Sequence, residues 1–411
     1  MKPQNKKKIL YVHANNHDIG GADYCLFKLA SELDKSRFQA IVCLGQRTDI
    51  CNLYKREGIK VHIIDMERIK KTLNPLYLLK LSIKSISTIR QLRKIIRDEH
   101  IDLVHGNDML DFYGPVAGFL EKIPRAQYVR WIIESPEWLR RLITQVVYSI
   151  NDIVLTVSDG VARSMFQKDD LIPAKVTTCY DWIDMQKVGH DEQKTHIRKE
   201  FSIPPHAPLI GCVGRLDFWK GQNLFIQAAL LVLQQHPEAR FLLVGGAVEG
   251  RGRESYGKKL LTFVRKQGIT KQVQFTGHRT DISSIMHSLD IFVHSSLTPD
   301  PLPGVVMEAM YCGLPVVGAD AGGVPEEVAD GRTGLLYQPG NPHQMAEKII
   351  SLLEDPQLRR QMGYAGRERV MRIFDKTSLC QKIQSLYEEK ISQYAQENIE
   401  STQAQIDKNM R

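Results

Sequence analysis

The stretch "PDPLPGVVMEAM" at 299–310 sets two carboxylates, Asp300 and Glu308, eight positions apart around two prolines and a glycine. A carboxylate accepts from two hydroxyls at once, so such a pair suits a ribose diol and a sugar. Pro301 and Pro303 keep the chain extended, and a helix can start only near Gly304. That start leaves the N–H groups of Gly304 and Val305 unpaired at the positive end of the helix dipole. Taken singly, Glu308 would also suit a helix dipole and Asp300 a turn, so the spacing alone is weak evidence.

Cations that could face those acids follow another apolar run. After "PLIGCVG" comes "RLDFWKGQNLFIQAALLVL", where Gly214 permits a tight turn and Arg215 and Lys220 project from a loop opening into a helix. A guanidinium fork and an ammonium beside a helix N-terminus make a diphosphate clamp. After "PVVGAD" comes "AGGVPEEVADGRTGLL": Gly322 and Gly323 allow close backbone approach, Pro325 suits a first helical turn, and Glu326 and Glu327 favour the dipole. Near the N-terminus "HDIGGADYCLFKLASEL" places Gly20 and Gly21 between a strand and a helix. It is not the G-x-G-x-x-G dinucleotide fingerprint, which argues against a nicotinamide enzyme. "HGND" at 105–108 ends a further strand and is expected to face a ligand. "GRESYGKK" at 252–259 imitates a P-loop but has Lys259 where magnesium needs a hydroxyl. No cluster of His, Cys and acids has metal-ligand spacing.

The elements that must hold these residues alternate. Strand candidates run "KILYVHA", "FQAIVCL", "KVHIIDM", "IDLVHGN", "QYVRWII", "DIVLTVS" and "KVTTCYD", then "PLIGCVG", "ARFLLVGG", "QVQFTGH", "DIFVHSS", "PVVGAD" and "GLLYQP". Helical stretches separate most of them, the pattern of parallel sheets covered on both faces. In such sheets ligands sit at the carboxyl ends of strands, where the candidate residues lie. With 411 residues, two domains are expected: 1–190, 191–375, and a C-terminal helix and polar tail at 376–411 packing toward the N-terminal domain. The seam is expected within 188–208, and the terminal "QENIESTQAQIDKNMR" is expected to fray.

Seven scattered cysteines without a Cys-x-x-Cys pair read as core thiols in a reducing compartment. The N-terminal apolar run is too short for a signal peptide, and none approaches the roughly eighteen residues of a membrane span, so a cytoplasmic protein is expected. The net charge is +8, and residues 1–200 carry 32 Lys and Arg against 25 Asp and Glu. Much of that excess lies in 68–97, which has nine basic and no acidic residues. From Leu76 its leucines and isoleucines recur at helical spacing. Two readings stand for it: a crossover helix with a solvated basic face, or a face for anionic lipid.

As an ordered set, "GGA", "GRLDFWKGQ", "VQFTGHRTDI" and "HSSLTPDPLPGVVMEAMYCGLPVVGADAGGVPEEVADGRTGLLYQPGNP" resemble the retaining sugar-nucleotide glycosyltransferases of family 4. The resemblance implies the α/β GT-B fold, two Rossmann-like doubly wound parallel-sheet domains facing a central cleft. It implies that Asp300 holds the donor's sugar hydroxyls and Glu308 its ribose. Arg215 and Lys220 would neutralise the leaving diphosphate, with Gly20, Gly21 and Gly214 near it. Gly304 and Val305 would donate to the sugar, Gly322 and Gly323 would approach the donor, and backbone around Arg279 and Asp281 would meet the base. The family normally has Glu where this chain has Asp300. It often has His where this chain has Asn107, which is left to bond the sugar, while His105 lies two residues earlier.

The implied reaction is transfer of a hexose with retention, a phosphate oxygen serving as base and no metal required. The expected partners are a nucleotide diphosphate sugar, a saccharide or glycolipid acceptor, and an anionic membrane surface through 68–97, but not nucleic acid. Bacterial surface polysaccharide or glycolipid synthesis at the inner face of the plasma membrane is the implied setting. A nucleotide-sugar epimerase or hydrolase, and an inactive binder or scaffold, remain as rival readings.

Overall fold

A computed structural model describes residues 6–14, 19–67, 74–132, 136–166, 172–184, 188, 194–246 and 253–409. The chain divides into two compact units, one of Met1–Tyr180 with Lys376–Arg411, the other of Asp181–Asp375. The change of unit at Tyr180–Asp181 precedes the polar stretch expected to carry it. Val188, whose carbonyl accepts from Ser283, already belongs to the second unit.

The first unit runs β1 (Lys7–His13), α1 (Gly21–Ser31), β2 (Phe38–Leu44), α2 (Ile50–Arg56), β3 (Lys60–Ile63) and α3 (Pro75–Asp98). It continues through β4 (Leu103–Gly106), α4 (Tyr113–Leu120), β5 (Arg125–Val129), α5 (Glu137–Ile150), β6 (Ile153–Thr156), α6 (Asp159–Met165) and β7 (Val176–Thr178). The strands form one parallel sheet in the order β3-β2-β1-β4-β5-β6-β7. Its central strands are buried along their length, which is why they read as unbroken apolar runs. Leu10, Val12, Ile41 and Val104 from the sheet pack with Leu92 and Ile96 of α3 in one core. Asn74 caps α3, accepting from the N–H groups of Leu76 (3.0 Å) and Tyr77 (3.4 Å), with Pro75 in the first turn.

The second unit runs α7 (Lys194–Glu200), β8 (Leu209–Val213), α8 (Gln222–Leu233), β9 (Arg240–Val244), α9 (Arg253–Lys266), β10 (Val273–Gly277) and α10 (Ile282–Ser288). It continues through β11 (Ile291–His294), α11 (Gly304–Tyr311), β12 (Val316–Ala319), α12 (Val324–Glu327), β13 (Gly334–Tyr337), α13 (Pro342–Glu354) and α14 (Pro356–Ile373). Its sheet is also parallel, in the order β10-β9-β8-β11-β12-β13. Phe225 and Phe241 meet edge to face at 5.7 Å in its core. Each sheet reverses its order once, between β1 and β4 and between β8 and β11, the place where doubly wound sheets open a ligand crevice.

The last helix, α15 (Lys376–Asn409), belongs to the first unit. Tyr387 is buried there and its hydroxyl meets His105 Nδ1 at 2.7 Å, while Tyr394 pairs with Asp152. The tail expected to fray is helical to Asn409. It has no Gly or Pro, and its Gln and Glu residues carry little helix penalty. All seven cysteines are free. The P-loop imitation begins outside the described residues, and its Gly257–Lys259 portion lies inside α9.

Candidate functional site

The second unit gathers its candidates at the carboxyl edge of β8 and β11. A short 3₁₀ turn, Phe218–Lys220, follows β8 and ends at Gly221 with φ +67°. A Cβ at Gly221 would stand 1.9 Å from the carbonyl oxygen of Ser295, so only glycine fits. Ser295 Oγ donates to Lys220 O (2.8 Å), and the N–H of Leu297 donates to Trp219 O (2.8 Å). These bonds tie the cation loop to the loop after β11.

Asp300 is the centre of that arrangement. It is 8% exposed, and its Oδ2 accepts from Lys220 Nζ. His294 Nε2 lies 3.3 Å from the same oxygen, and Ser296 Oγ donates to it at 3.4 Å. All three contacts fall on Oδ2 and none on Oδ1. Burial opposes ionisation of Asp300, but the charge of Lys220 and the His294 contact outweigh it and hold the carboxyl well below the usual aspartate range. His294 is buried and its pKa is also lowered, because loss of water outweighs the opposing charge of Asp300, so the ring stays neutral near pH 7. His294 belongs to the strand run "DIFVHSS" and is not among the residues that spacing marks as candidates. Its place at the end of a buried strand, six positions before Asp300, was the available signal.

Arg215 is exposed and has no ion-pair partner among the described residues. Lys220, expected beside Arg215 as a cation for the diphosphate, is paired to Asp300, with its Nζ 4.0 Å from the centroid of the Trp219 ring. Helix α11 starts at Gly304 as expected. Its first backbone bond back is Val306 N–H to Pro303 O at 2.8 Å, and the N–H groups of Gly304 and Val305 have no partner among the described residues. Glu308 lies one turn into that helix, half-buried.

Gly322 and Gly323 allow a close backbone approach within the unit. A Cβ on either would stand 2.1 Å from a backbone oxygen, of Asp300 for the first and Pro301 for the second. The N–H of Gly323 donates to Asp300 O at 2.9 Å. The pair lets the β12–α12 turn brace the Asp300 loop. Glu327, read as a dipole carboxylate, is fully buried, and neither carboxyl oxygen has a hydrogen-bond partner among the described residues. Burial, then the neighbouring Asp300 and Glu326, push its pKa far up, so it carries a proton. In a four-residue helix its side chain turns to the core. The Arg279 side chain bonds Asp281 (2.9 and 2.7 Å) and Glu200 (2.5 and 3.0 Å).

The first unit has its own cluster at the carboxyl edge of β1 and β4. Asn107 is fully buried: Nδ2 donates to Ala22 O (3.1 Å), and Oδ1 accepts from Arg130 Nε (3.3 Å). These two bonds hold the start of α1, beside Gly20 and Gly21, in place. His105 points into the core between Tyr11, Tyr128 and Tyr387, and burial pushes it down to about 3. Sequence reasoning missed His13, which lies 2.7 Å through Nδ1 from Asp111 Oδ2 and 3.6 Å through Nε2 from Asp23 Oδ1. Asp23 Oδ2 in turn accepts from Gly20 N–H at 2.9 Å. Burial opposes charge on His13, but Asp111 and then Asp23 raise its pKa above the ordinary value.

Two family models match: "Glycosyl transferases group 1" over residues 193–369 and "Glycosyltransferase Family 4" over 19–187. Among curated relatives, D-inositol 3-phosphate glycosyltransferase of Corynebacterium glutamicum (strain R) is 27% identical over 64% of this chain and 62% of its own length. Spore coat protein SA of Bacillus subtilis (strain 168) is 28% identical over 57% of this chain and 64% of its own. The matched region thus spans less than two thirds of those relatives. Among solved structures, Anabaena HepE in complex with UDP has a TM-score of 0.78 at 25% identity, covering 93% of this chain and all of that one. The same protein in complex with UDP-glucose gives 0.76 at 26% identity, covering 93% and 99%. With two Rossmann-like parallel-sheet units and both family models matched in order, this chain belongs to the family 4 type of GT-B glycosyltransferases.

Proposed function

We propose that the protein is a retaining glycosyltransferase that moves a hexose from a nucleotide diphosphate sugar to a saccharide or lipid-linked saccharide. The observation that carries this reading is the convergence on one sheet edge of Arg215, the Lys220–Asp300 pair and the first amides of α11, with Arg215 and those amides unpaired among the described residues. A diphosphate needs the cations, and a sugar needs the acid and the amides. UDP-sugars are the first donors to test, because HepE was solved with UDP and UDP-glucose.

In this scheme Arg215 and Lys220 stabilise charge developing on the leaving diphosphate, and a phosphate oxygen takes the acceptor's proton. Asp300 Oδ1 and Glu308 accept from hydroxyls of the sugar and the ribose. No metal enters it. His294 and Ser296 hold Asp300 in place from behind. The acceptor class we favour is a growing surface polysaccharide or glycolipid, met at a membrane surface through the basic segment within 68–97. As the part of that segment lying in α3 is helical, it can rest on anionic lipid while the sheet behind it stays in water.

Thermal stabilisation with a panel of nucleotide diphosphate sugars, on wild type and on Glu308→Ala, tests the reading. A donor at 100 times its dissociation constant should stabilise the wild type by about 2.7 kcal/mol. That gain should vanish in Glu308→Ala, and the anomeric configuration of the product, read by NMR, should match that of the donor. Stabilisation by no donor would remove the site assignment. Binding with neither transfer nor donor hydrolysis would make the protein a scaffold.

A further inference from the structure

Helices α3, α4 and α5 lie side by side on one face of the first unit's sheet, with α4 packed against both neighbours. The outward side of α3 carries Leu76 (76% exposed), Leu79, Ile83 and Ile86, spaced three, four and three residues apart. Such spacing puts all four on one stripe. The stripe continues toward the C-terminus as Arg90, Lys94 and Arg97, with Lys80 beside it. A solvated basic face would not place aliphatic side chains outward, so half of the stripe needs an apolar neighbour.

Helix α5 repeats the arrangement. Trp138 (67% exposed), Leu142 and Val146 stand four residues apart on its outward side, and Trp131, also exposed, follows β5. Its inward positions, Thr144 and Val147, are buried, so the helix is apolar on both sides. Crossover helices run back against the strands. The apolar N-terminal half of α3 and the Trp138 end of α5 therefore both lie at the sheet's carboxyl edge, where Gly20 and Asn107 also sit. Neighbouring helix axes are about 10 Å apart, so the two stripes stand about 20 Å from each other across α4.

Charge identifies the occupant. Lys80, Arg90 and Lys94 have no ion-pair partner among the described residues. The carboxylates beside the stripe, Asp65, Glu67 and Glu121, are taken up by Lys84, Arg93 and Arg97. Aliphatic side chains next to unpaired cations on α3, with exposed Trp and Leu on α5 at the same edge, match the boundary between acyl chains and anionic headgroups, while the α5 cations Arg140 and Arg141 are engaged by backbone carbonyls and Glu137. We infer that α3 and α5 together form a surface that docks on an anionic bilayer, inserting Leu76, Leu79, Ile83, Trp138 and Leu142. The bilayer would then lie beside the carboxyl edge of the first sheet. This deepens the membrane contact proposed for α3 and rests on it; the α5 contact is new.

The test is cosedimentation of the full chain with vesicles of phosphatidylcholine alone or mixed with phosphatidylglycerol, with Trp fluorescence as a second readout. Wild type should bind the mixed vesicles, weaken with salt, and blue-shift on binding. Leu79→Glu with Ile83→Glu, and separately Trp138→Glu with Leu142→Glu, should each lower partition at least tenfold at unchanged melting temperature, since all four side chains face water. Lys80→Glu with Arg90→Glu and Lys94→Glu should remove the preference for the anionic vesicles.

If the α5 pair binds like wild type, docking is by α3 alone and the two-helix surface is wrong. If wild type ignores anionic vesicles, both contacts fall. If it is a dimer that either pair breaks, the face is a contact between copies and the inference is overturned. Donor-induced stabilisation should persist in every variant, so failure of the donor reading shows separately.

Discussion

Replacing Lys220 by methionine probes the Asp300 site most directly. Asp300 is buried, and Lys220 supplies its charge partner. Removing one member of a buried pair costs about 3–5 kcal/mol, because the remaining charge is left uncompensated. For a unit the size of Asp181–Asp375, each kcal/mol moves the melting temperature by roughly 2–4 °C. The variant should therefore melt about 6–20 °C lower at pH 7.

The deficit should also depend on pH. In the wild type the folded carboxyl has a depressed pKa, so its contribution is complete above about pH 4 and fades only as pH falls further. In the variant, burial is no longer outweighed by Lys220, and the carboxyl takes up a proton at higher pH. The gap between the two proteins should be widest near neutrality and should narrow as pH falls toward about 3. Adding Asp300→Asn to the variant should recover most of the stability, since no charge is left buried, without recovering transfer. Differential scanning calorimetry from pH 3 to 8 measures all of this. A loss below about 1 kcal/mol, or a gap that does not change with pH, would refute the claim that Lys220 compensates a buried carboxylate.

Arg215→Ala should leave the melting temperature unchanged and lower kcat/KM for the donor by about 100- to 1,000-fold, whereas Arg279→Ala should cost about 1 kcal/mol and spare the donor. Steady-state kinetics beside urea unfolding separates the two arginines. Asn107→Ala should destabilise the first unit by about 1–3 kcal/mol, because it strands the Ala22 carbonyl; an unchanged unfolding midpoint would instead mark a substrate-facing amide. His13 has a raised folded pKa, so its contribution is complete below about pH 6.5 and lost as pH rises through the folded value. Unfolding of His13→Gln across pH 5–9 should lack that falling slope.

The sequence by itself determined the architecture and which strand ends carry the candidate residues. Buried parallel strands must be apolar along their whole length, so runs such as "FQAIVCL" and "DIFVHSS" are visible, and the residues that follow them lie at a sheet edge. Pro301 and Pro303 fix the start of α11 locally, and that start was legible too. Contacts over long separations were not. Lys220 and Asp300 are 80 positions apart, and only the pairing of β8 with β11 makes them an ion pair. Gly322 and Gly323 were legible as places of close approach, but a glycine shows that something comes close, not what does; here the Asp300–Pro301 backbone does. Asn107 and Glu327 are polar residues whose burial depends on neighbours far along the chain. Burial, charge compensation and close backbone approach are sums over spatial neighbours, and those are decided only when the sheets assemble.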